Sequence, residues 1–362
     1  MKIIKPTFLI NEAVCRKNIS RMASKAQKNG LQFRPHFKTH QSAEIGEWFR
    51  QSGIKKITVS SVSMARYFAD NGWDDIFIAF PVNTLEIEQI NKLAEKIKLY
   101  LAVESEAAVG YLSQNLKYKT GVYLKIDTGY HRTGIAADDF SEVEKILKKI
   151  KNATNLKITG FFTHAGHSYD VKGKDELLKV HNDSLQKLVT LKRRFSKEYP
   201  GITISIGDTP SSSLANDFTG ADELRPGNFV FYDVMQYYLG ACTPEDIAVA
   251  TACPVVAKHK ERNEIVIYGG AVHHSLDSVT DTKNRKIYGL VVKMTKNGWS
   301  KPLSDTYVSS LSQEHGIIKA PDDVFNNINT GDIVGILPVH SCLTANLAKE
   351  YFTIDGYLIK KL

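Results

Sequence analysis

The sequence predicts a (β/α)8 barrel followed by a second, mostly antiparallel β domain. Two observations favour this fold class. Strand-like and helix-like segments alternate through the first two-thirds of the chain, and helical periodicity nearly disappears after about Gly240. The 362 residues are also enough for roughly two domains. We therefore predict a barrel over residues 12–240 and a β domain built from residues 1–11 and 241–362.

Eight strand candidates alternate with amphipathic helical runs in the barrel region. The strands are predicted at Gln32–Lys38, Lys56–Ser60, Asp75–Phe80, Leu99–Val103, Gly121–Ile126, Lys157–His164, Thr203–Ile206 and Leu224–Tyr232. The helices include Ser42–Gln51, Ser63–Asn71, Leu85–Lys96, Phe140–Lys151 and Asp175–Tyr199. Such alternation within about 250 residues is typical of a closed barrel. A doubly wound open sheet has a similar pattern, but no Gly-x-Gly-x-x-Gly motif follows the first strand.

The C-terminal region is rich in short β-type segments separated by turns such as Asn297-Gly298. The strand candidates are Ala248–Ala257, Glu264–Tyr268, Tyr288–Met294, Thr306–Ser310 and Ile333–Leu337. An N-terminal segment around Ile3–Leu9 has the same character, and we expect it to complete this β domain.

Composition excludes several classes of protein. With 43% hydrophobic and 24% charged residues the chain is an ordinary globular protein, and its net charge of +8 is spread along surface-like helices, so nucleic acid is not an expected partner. The four cysteines are too few and too scattered for a disulfide framework. No signal pattern and no run near the ~20 apolar residues of a membrane span is present. We expect a reduced, cytoplasmic protein that does not bind membranes.

The first barrel strand leads into a basic motif that contains Lys38. Active-site residues of (β/α)8 barrels lie at the C-terminal ends of the strands. In an extended segment Arg34, His36 and Lys38 share one face, while Phe33 and Phe37 lie on the other and pack under the helices. Neighbouring cations and partial burial would lower the pKa of the Lys38 amine. The motif therefore predicts a nucleophilic lysine of the kind that forms Schiff bases.

Two later strand ends predict a phosphate site. Gly207–Ser213 follows the seventh strand and Arg225–Asn228 the eighth, and both combine a glycine with polar groups. Loops at these two places often hold phosphate in such barrels.

Two further strand ends carry candidate polar groups. Arg132 follows the fifth strand, where it is suited either to bind a carboxylate or phenolate oxygen or to form a surface ion pair. His164 and His167 follow the sixth strand, and we interpret them as hydrogen-bonding loop residues rather than metal ligands.

A possible metal site lies near the C-terminus. His340 and Cys342 are two residues apart, so on one extended segment both side chains would point to the same side. An imidazole with a thiolate favours zinc, and only two protein ligands would leave positions open for water or substrate. The alternative is a buried cysteine beside a hydrogen-bonded histidine.

Taken together, these motifs resemble the D-serine dehydratase and D-threonine aldolase group of fold-type III pyridoxal-phosphate enzymes, which share their barrel with alanine racemase. The resemblance extends from Pro6 to about Gly356 and rests on the following segments in order: Arg34–His40, Asp127–Gly134, His164–Tyr169, Arg225–Asn228 and His340–Cys342. It implies that Lys38 carries pyridoxal 5′-phosphate. It also implies that Thr209, Gly227 and Asn228 bind the phosphate, that Arg132 and Tyr169 lie near the cofactor, and that His340 and Cys342 bind zinc.

The resemblance further implies dehydration of a β-hydroxy D-amino acid by a homodimeric, zinc-dependent lyase. Known D-threonine aldolases tend to have aspartate at the position of Cys342, which favours a dehydratase here. A D-threonine aldolase, a D-threo-3-hydroxyaspartate dehydratase, a racemase and a non-catalytic pyridoxal-phosphate carrier remain alternatives, and a metal-dependent hydrolase is disfavoured by the Lys, Arg and Thr residues at the strand ends. Gly269–His273 and Gln313–Gly316 have no assigned role at this point.

Overall fold

The computed structural model describes residues 2–362, and short strands account for much of it. In chain order they are β1 (Thr7–Ile10), β2 (Gln32–Phe33), β3 (Ile57–Val59), β4 (Asp75–Pro81), β5 (Lys98–Val103), β6 (Thr120–Asp127), β7 (Ile135–Ala136), β8 (Leu156–Phe162), β9 (Thr203–Ile206), β10 (Glu223–Leu224), β11 (Val249–His259), β12 (Glu264–Tyr268), β13 (Val279–Thr280), β14 (Lys286–Ile287), β15 (Gly289–Thr295), β16 (Gly298–Trp299), β17 (Tyr307–Leu311), β18 (His315–Lys319), β19 (Ile333–Pro338), β20 (Tyr351–Thr353) and β21 (Leu358–Ile359).

Several helices follow a residue whose side chain accepts a hydrogen bond from a backbone N–H of the first turn. In chain order they are α1 (Glu12–Lys28), α2 (Ala43–Gln51), α3 (Val62–Asp70), α4 (Ile87–Lys96), α5 (Glu106–Asn115), α6 (Phe140–Lys151), α7 (Lys174–Phe195), α8 (Thr209–Leu214), α9 (Val234–Tyr238), α10 (Ala271–His274), α11 (Asp322–Asn326) and α12 (Ser341–Leu347). Ser61 and Ser105 cap α3 and α5 in this way, and Asp139 caps α6. No helix of the described residues is long and apolar enough to span a membrane.

Parallel strands form the barrel predicted from the sequence. Their order is β2-β10-β9-β8-β6-β5-β4-β3, and a parallel bridge between His36 and Thr58 joins the first strand segment to the last. Inside the ring Phe77, Tyr123 and Phe162 pack together with other aromatic and small side chains. The (β/α)8 prediction is therefore confirmed, and the open-sheet alternative is wrong.

Two of the eight predicted barrel strands are much shorter than expected. Segments predicted at Gln32–Lys38 and Leu224–Tyr232 form ladders only over β2 and β10. Prolines 35 and 226 have no N–H to donate to a ladder. The His36 N–H still donates to the Pro226 carbonyl at 2.9 Å, in register with the bond from Arg34 to Leu224, but without the proline donors the regular ladder ends at β2 and β10. The catalytic-type motifs consequently lie on loops at this end of the barrel.

The second predicted region forms an antiparallel β domain. Its main sheet has the order β12-β18-β17-β15-β19-β11-β1-β20-β21, and an additional β11–β12 pairing closes six of these strands into a ring. β1 pairs antiparallel with β11, so the expectation that an N-terminal strand completes this domain is confirmed. Apolar side chains including Val291, Ile318 and Ile336 fill its core.

The chain divides into two compact units. The barrel unit contains residues 21–38 and 49–227, and the β unit contains residues 1–20, 39–48 and 228–361. Relative to the predicted domain boundaries, the residues 12–20, 39–48 and 228–240 group with the β unit.

Candidate active site

The Lys38 motif lies on a turn rather than on a strand. The Phe37 N–H donates to the Thr58 carbonyl at 2.8 Å, and residues 37–40 form the turn that follows. Phe37 is fully buried against Phe49 and Trp73, as the sequence pattern predicted. The Lys38 side chain is exposed, so the expectation of partial burial is wrong.

Arg34 does not share the environment of Lys38. Its guanidinium is buried inside the barrel, where it donates to Glu223 at 2.7 Å and to Asp75 at 2.5 Å. The prediction that Arg34, His36 and Lys38 form one basic face at the barrel mouth is therefore wrong for Arg34. Because its side chain is buried and two carboxylates neutralise it, this arginine stabilises the barrel interior.

His164 is one of the two histidines predicted to form hydrogen bonds in a loop. Its Nδ1–H donates to the Gly207 carbonyl at 3.1 Å, which leaves Nε2 as an acceptor. Burial and the charges of Lys38 and Lys125 hold the pKa of His164 well below its ordinary value. The imidazole is neutral at physiological pH, and His164 forms a hydrogen bond as predicted. His167 does not match the same prediction at one atom, since its Nδ1 is buried without a hydrogen-bond partner among the described residues.

Two cations are buried in the barrel: Lys125, which was not predicted from the sequence, and Arg225, which was predicted only as part of the phosphate segment Arg225–Asn228. Lys125 points inward from β6, where its ammonium lies 4.6 Å from the centroid of Phe162. Burial and the charges of Arg225 and Arg132 lower the pKa of Lys125 to about 7. The Arg225 guanidinium is also buried, and burial lowers its pKa to about 10. The sequence feature that could have indicated the burial of Lys125 is its position within an otherwise mostly apolar strand.

Arg225 is held by neutral groups. Its Nε–H donates to Ser205 Oγ at 2.9 Å, and its terminal nitrogen donates to the Thr163 carbonyl. Neither Arg225 nor Lys125 forms an ion pair with any residue that the structure describes. A buried cation without a carboxylate partner is costly, so this part of the barrel is suited to an anionic ligand.

The predicted phosphate loop after β9 presents unsatisfied polar atoms. Asp208 caps α8 and accepts the Ser168 hydroxyl at 2.9 Å. The Thr209 Oγ1 and Ser211 Oγ atoms are buried and have no hydrogen-bond partner among residues 2–362. Gly207 is required here because a Cβ would lie 2.7 Å from the Arg225 backbone. Orphan hydroxyls of this kind match a phosphate or ordered water.

Two other predicted cofactor residues lie in the same barrel unit. The Arg132 guanidinium is exposed and stacks 4.9 Å from the centroid of the Tyr130 ring. Tyr169 ends a 3-10 turn over Gly166–Tyr169, and its ring centroid lies 6.3 Å from that of His164. The charge of Arg132 is close enough to lower the pKa of Lys125.

The predicted metal ligands lie in the β unit where β19 ends. His340 occupies the N-cap position of α12 and Cys342 its first turn, so the prediction of one extended segment is wrong. Burial alone would lower the pKa of His340, but hydrogen bonding to the thiol of Cys342 and the charges of Cys342, Asp233 and Asp277 raise it to about 9.

Polar groups within the β unit surround the thiol of Cys342. Thr39 Oγ1 lies 3.2 Å and Asn228 Nδ2 3.6 Å from Cys342 Sγ. Thr39 is the residue that follows Lys38 in the chain. Among the described residues, no third histidine, cysteine or carboxylate completes a metal cluster with His340 and Cys342.

Asn228 has its side-chain donor committed within the β unit. Nδ2 donates to Asp233 Oδ2 at 2.6 Å and to Ser341 Oγ at 3.0 Å, while Oδ1 is buried and has no partner in the described part of the chain. Of its donors, only the backbone N–H is then suited to a phosphate.

The sequence match decides the family. Residues 10–234 match the family "Alanine racemase, N-terminal domain", and residues 248–354 match "Putative serine dehydratase domain". The chain belongs to the alanine racemase N-terminal domain family. It is a pyridoxal-phosphate-dependent lyase of fold type III with a C-terminal serine dehydratase domain.

Similar proteins match this family member along its whole length. D-serine dehydratase from Dictyostelium discoideum is 31% identical, over 97% of this chain and 93% of the relative. The structure of D-threo-3-hydroxyaspartate dehydratase from Delftia sp. HT23 superposes with a TM-score of 0.92 at 26% identity, covering 100% of this chain and 98% of that one. A cysteine-to-alanine variant of that enzyme, described as the metal-free form, also has a TM-score of 0.92, with 26% identity and the same coverage of both chains.

Proposed function

We propose that this chain removes water from a β-hydroxy D-amino acid, releasing a 2-oxo acid and ammonia, and that the reaction depends on zinc. The observation that carries the proposal is the placement of His340 at the N-cap of α12 and Cys342 in its first turn, a donor set typical of zinc. Cys342 also contacts Thr39, which is joined by a peptide bond to Lys38. Similarity over nearly the whole chain to dehydratases of D-serine and D-threo-3-hydroxyaspartate supports the same reaction class.

Pyridoxal 5′-phosphate fits the polar groups of the barrel unit. The buried, unpartnered hydroxyls of Thr209 and Ser211 suit its phosphate, and the unpaired cations Lys125 and Arg225 suit its negative charge. Lys38 would hold the cofactor covalently. Gly227 and the backbone N–H of Asn228 would add phosphate donors, and Arg132 and Tyr169 would flank the ring. When bound, the cofactor takes up the electron pair that remains on the substrate Cα.

Residues of the chain would move the substrate proton and orient the groups around it. Lys38 Nζ would accept the proton from the substrate Cα, because an amine bonded to the cofactor is released when substrate takes its place. His164 stays neutral and fixed by Gly207, so it would orient groups near Lys38 without adding a charge. The positive charges of the cationic side chains in the barrel would favour binding of the substrate carboxylate.

A divalent metal fits the donor set of the β unit. His340 and Cys342 would hold it, and with two protein ligands it would keep positions open for substrate. Zinc bound there would supply Lewis-acid stabilisation of the departing hydroxide. A D-threo-3-hydroxyaspartate dehydratase with one cysteine replaced by alanine is known in a metal-free form, which supports a role for metal and cysteine in this proposal.

We also propose that the chain works as a homodimer on a small D-amino acid. α10 packs against α12, and these helices expose Val272, Leu343 and Leu347. Exposed apolar groups that lie together favour an interface. Static light scattering should give the mass of two chains, and Leu343→Glu should reduce it to one.

Product analysis tests the proposed reaction. Purified protein loaded with pyridoxal 5′-phosphate is incubated with D-serine, D-threonine and D-threo-3-hydroxyaspartate, with added zinc and after chelation. We expect 2-oxobutyrate from D-threonine, and loss of activity on chelation. Glycine and acetaldehyde would instead indicate an aldolase, and bound cofactor without turnover would indicate a carrier.

D-threo-3-hydroxyaspartate dehydration is the second candidate, supported by the TM-score of 0.92 with that enzyme. The ratio of kcat/KM values for hydroxyaspartate and D-serine separates the two. Matched variants strengthen the metal test: Cys342→Ala should abolish zinc-dependent turnover, whereas Cys242→Ala, at a cysteine of similar partial burial, should not.

A further inference from the structure

Asp233 is a fully buried carboxylate that the proposed reaction does not use directly. It precedes α9, and its Oδ1 accepts the Gln236 N–H at 2.9 Å, which caps that helix. Helix capping occupies only this one oxygen. The contacts of the second oxygen therefore need a separate explanation.

Oδ2 of Asp233 connects to the segment that contains the proposed metal ligands. It accepts the Ser341 N–H at 2.9 Å and lies 3.3 Å from Ser341 Oγ. Ser341 is the residue between His340 and Cys342. The carboxylate thus holds the backbone at the centre of this segment.

The same oxygen also orients Asn228. Nδ2 of Asn228 donates to Asp233 Oδ2 at 2.6 Å and lies 3.0 Å from Ser341 Oγ and 3.6 Å from Cys342 Sγ. Rotating this amide by half a turn would place its oxygen against the carboxylate, which is repulsive. Asp233 therefore fixes the amide so that its N–H groups face the serine hydroxyl and the thiol.

We infer that Asp233 is a positioning residue for the metal: it sets the backbone between His340 and Cys342 and, through Asn228, orients the thiol. The inference rests on the metal site of the proposed function. Groups that orient metal ligands contribute to affinity, and their loss typically costs about 10–100-fold. Asp233 reaches the metal only through other residues, so its effect should fall on metal binding itself.

The Asp233→Asn variant tests the two carboxylate oxygens of Asp233 separately. Asparagine has one side-chain oxygen, which can still accept the Gln236 N–H and cap α9. Its amide nitrogen would replace Oδ2 and face the donors of Asn228 and Ser341. Chelator competition on the cofactor-loaded protein should give a zinc dissociation constant raised by about 10–100-fold. With cobalt(II) as a probe, the sulfur-to-metal absorption should weaken.

Asp246→Asn is the matched control. Asp246 is a buried carboxylate of the same unit that accepts the Thr243 N–H at 3.1 Å and lies 3.2 Å from its hydroxyl. We expect this variant to lower the melting temperature with an unchanged zinc dissociation constant. Wild-type zinc affinity in Asp233→Asn, or equal losses in both variants, would overturn the inference.

Ser341→Ala keeps the test decisive if Asp233→Asn does not fold. This change removes the hydroxyl contact with Asp233 but retains the backbone hydrogen bond, so we expect a loss of zinc affinity of about threefold to tenfold. Unchanged affinity would overturn the inference. If the wild-type protein itself binds no zinc, the metal part of the proposed function fails, and that outcome is distinct from a failure of Asp233 alone.

Discussion

Two groups of buried cations in the barrel have opposite surroundings. Arg34 is paired with both Glu223 and Asp75, and burial is outweighed by these carboxylates, which raise its pKa. Lys125 and Arg225 lie in the same barrel without an ion pair, and burial lowers the pKa of each. The first group is satisfied by the protein itself. The second has no direct ion-pair partner among the described residues. Glu104 and Asp127 act on Lys125, and Glu223 and Asp208 on Arg225, but they do not outweigh burial, which makes this group the better indicator of a binding site for an anion.

Replacing Lys38 tests the ligand that the unpaired cations Lys125 and Arg225 would bind, and it has the largest expected effect. If this side of the barrel binds pyridoxal 5′-phosphate, Lys38→Ala should lose the covalently held cofactor and its visible absorbance, and turnover should fall to background. Lys55→Ala, at an exposed lysine on a loop, is the control and should retain both. Absorbance and activity like those of the wild type in Lys38→Ala would remove the basis for this site.

Glu223→Gln tests the balanced group. Glu223 also accepts the Ser205 hydroxyl at 2.7 Å, and its loss leaves Arg34 with one carboxylate. Removing one partner of a buried pair costs about 3–5 kcal/mol, so urea unfolding should show a decrease of this size. Lys125→Met should be far less harmful to stability, since it removes an unpaired charge. A larger loss for Lys125→Met than for Glu223→Gln would reverse the comparison.

The pH dependence of stability sharpens the same contrast. Folding lowers the pKa of Lys125 from 10.5 to about 7. Between these values the unfolded chain binds more protons than the folded one, so this residue makes stability rise with pH. The difference in unfolding free energy, wild type minus Lys125→Met, should therefore increase by up to about 1.4 kcal/mol per pH unit above pH 7. A flat difference between pH 7 and 9 would contradict the assignment.

The smallest effect is expected at Thr39. Its hydroxyl lies 3.2 Å from Cys342 Sγ, so Thr39→Val removes one polar contact of the thiol in a buried position. We expect zinc affinity to fall by about threefold to tenfold, and Thr39→Ser to restore it. Equal affinity in Thr39→Val and the wild type would show that this contact does not support the metal ligands.

The sequence predicted the barrel well because a barrel depends on local patterns, and the role of Lys38 stays a prediction. Strand–helix alternation and the order of motifs at strand ends are visible without tertiary contacts. The role of Arg34 was not predictable, because its partners Glu223 and Asp75 are 189 and 41 residues away. Asp233 was missed for the same reason, since Ser341 lies 108 residues further along the chain.

The backbone conformation of the Lys38 motif and of the His340–Cys342 segment could not be predicted from local sequence either. Extended geometry was assumed for Lys38 and for the His340–Cys342 segment, yet one lies on a turn and the other at the start of α12. Residue type still identified the chemistry, since an imidazole and a thiol come together in either conformation. Lys125 shows the converse case: a lysine in an apolar strand looked unremarkable until its surroundings were known.

The most direct test of the account incubates the Cys342→Ala variant with D-serine in deuterated water and measures two quantities. Incorporation of deuterium at Cα of the recovered D-serine reports proton removal by Lys38. Formation of pyruvate reports loss of the hydroxyl group. We predict that the variant exchanges the α-proton at a rate near that of the wild type, while pyruvate formation falls by at least about 100-fold. Pyruvate formation at the wild-type rate after rigorous chelation would contradict a role for the metal held by His340 and Cys342.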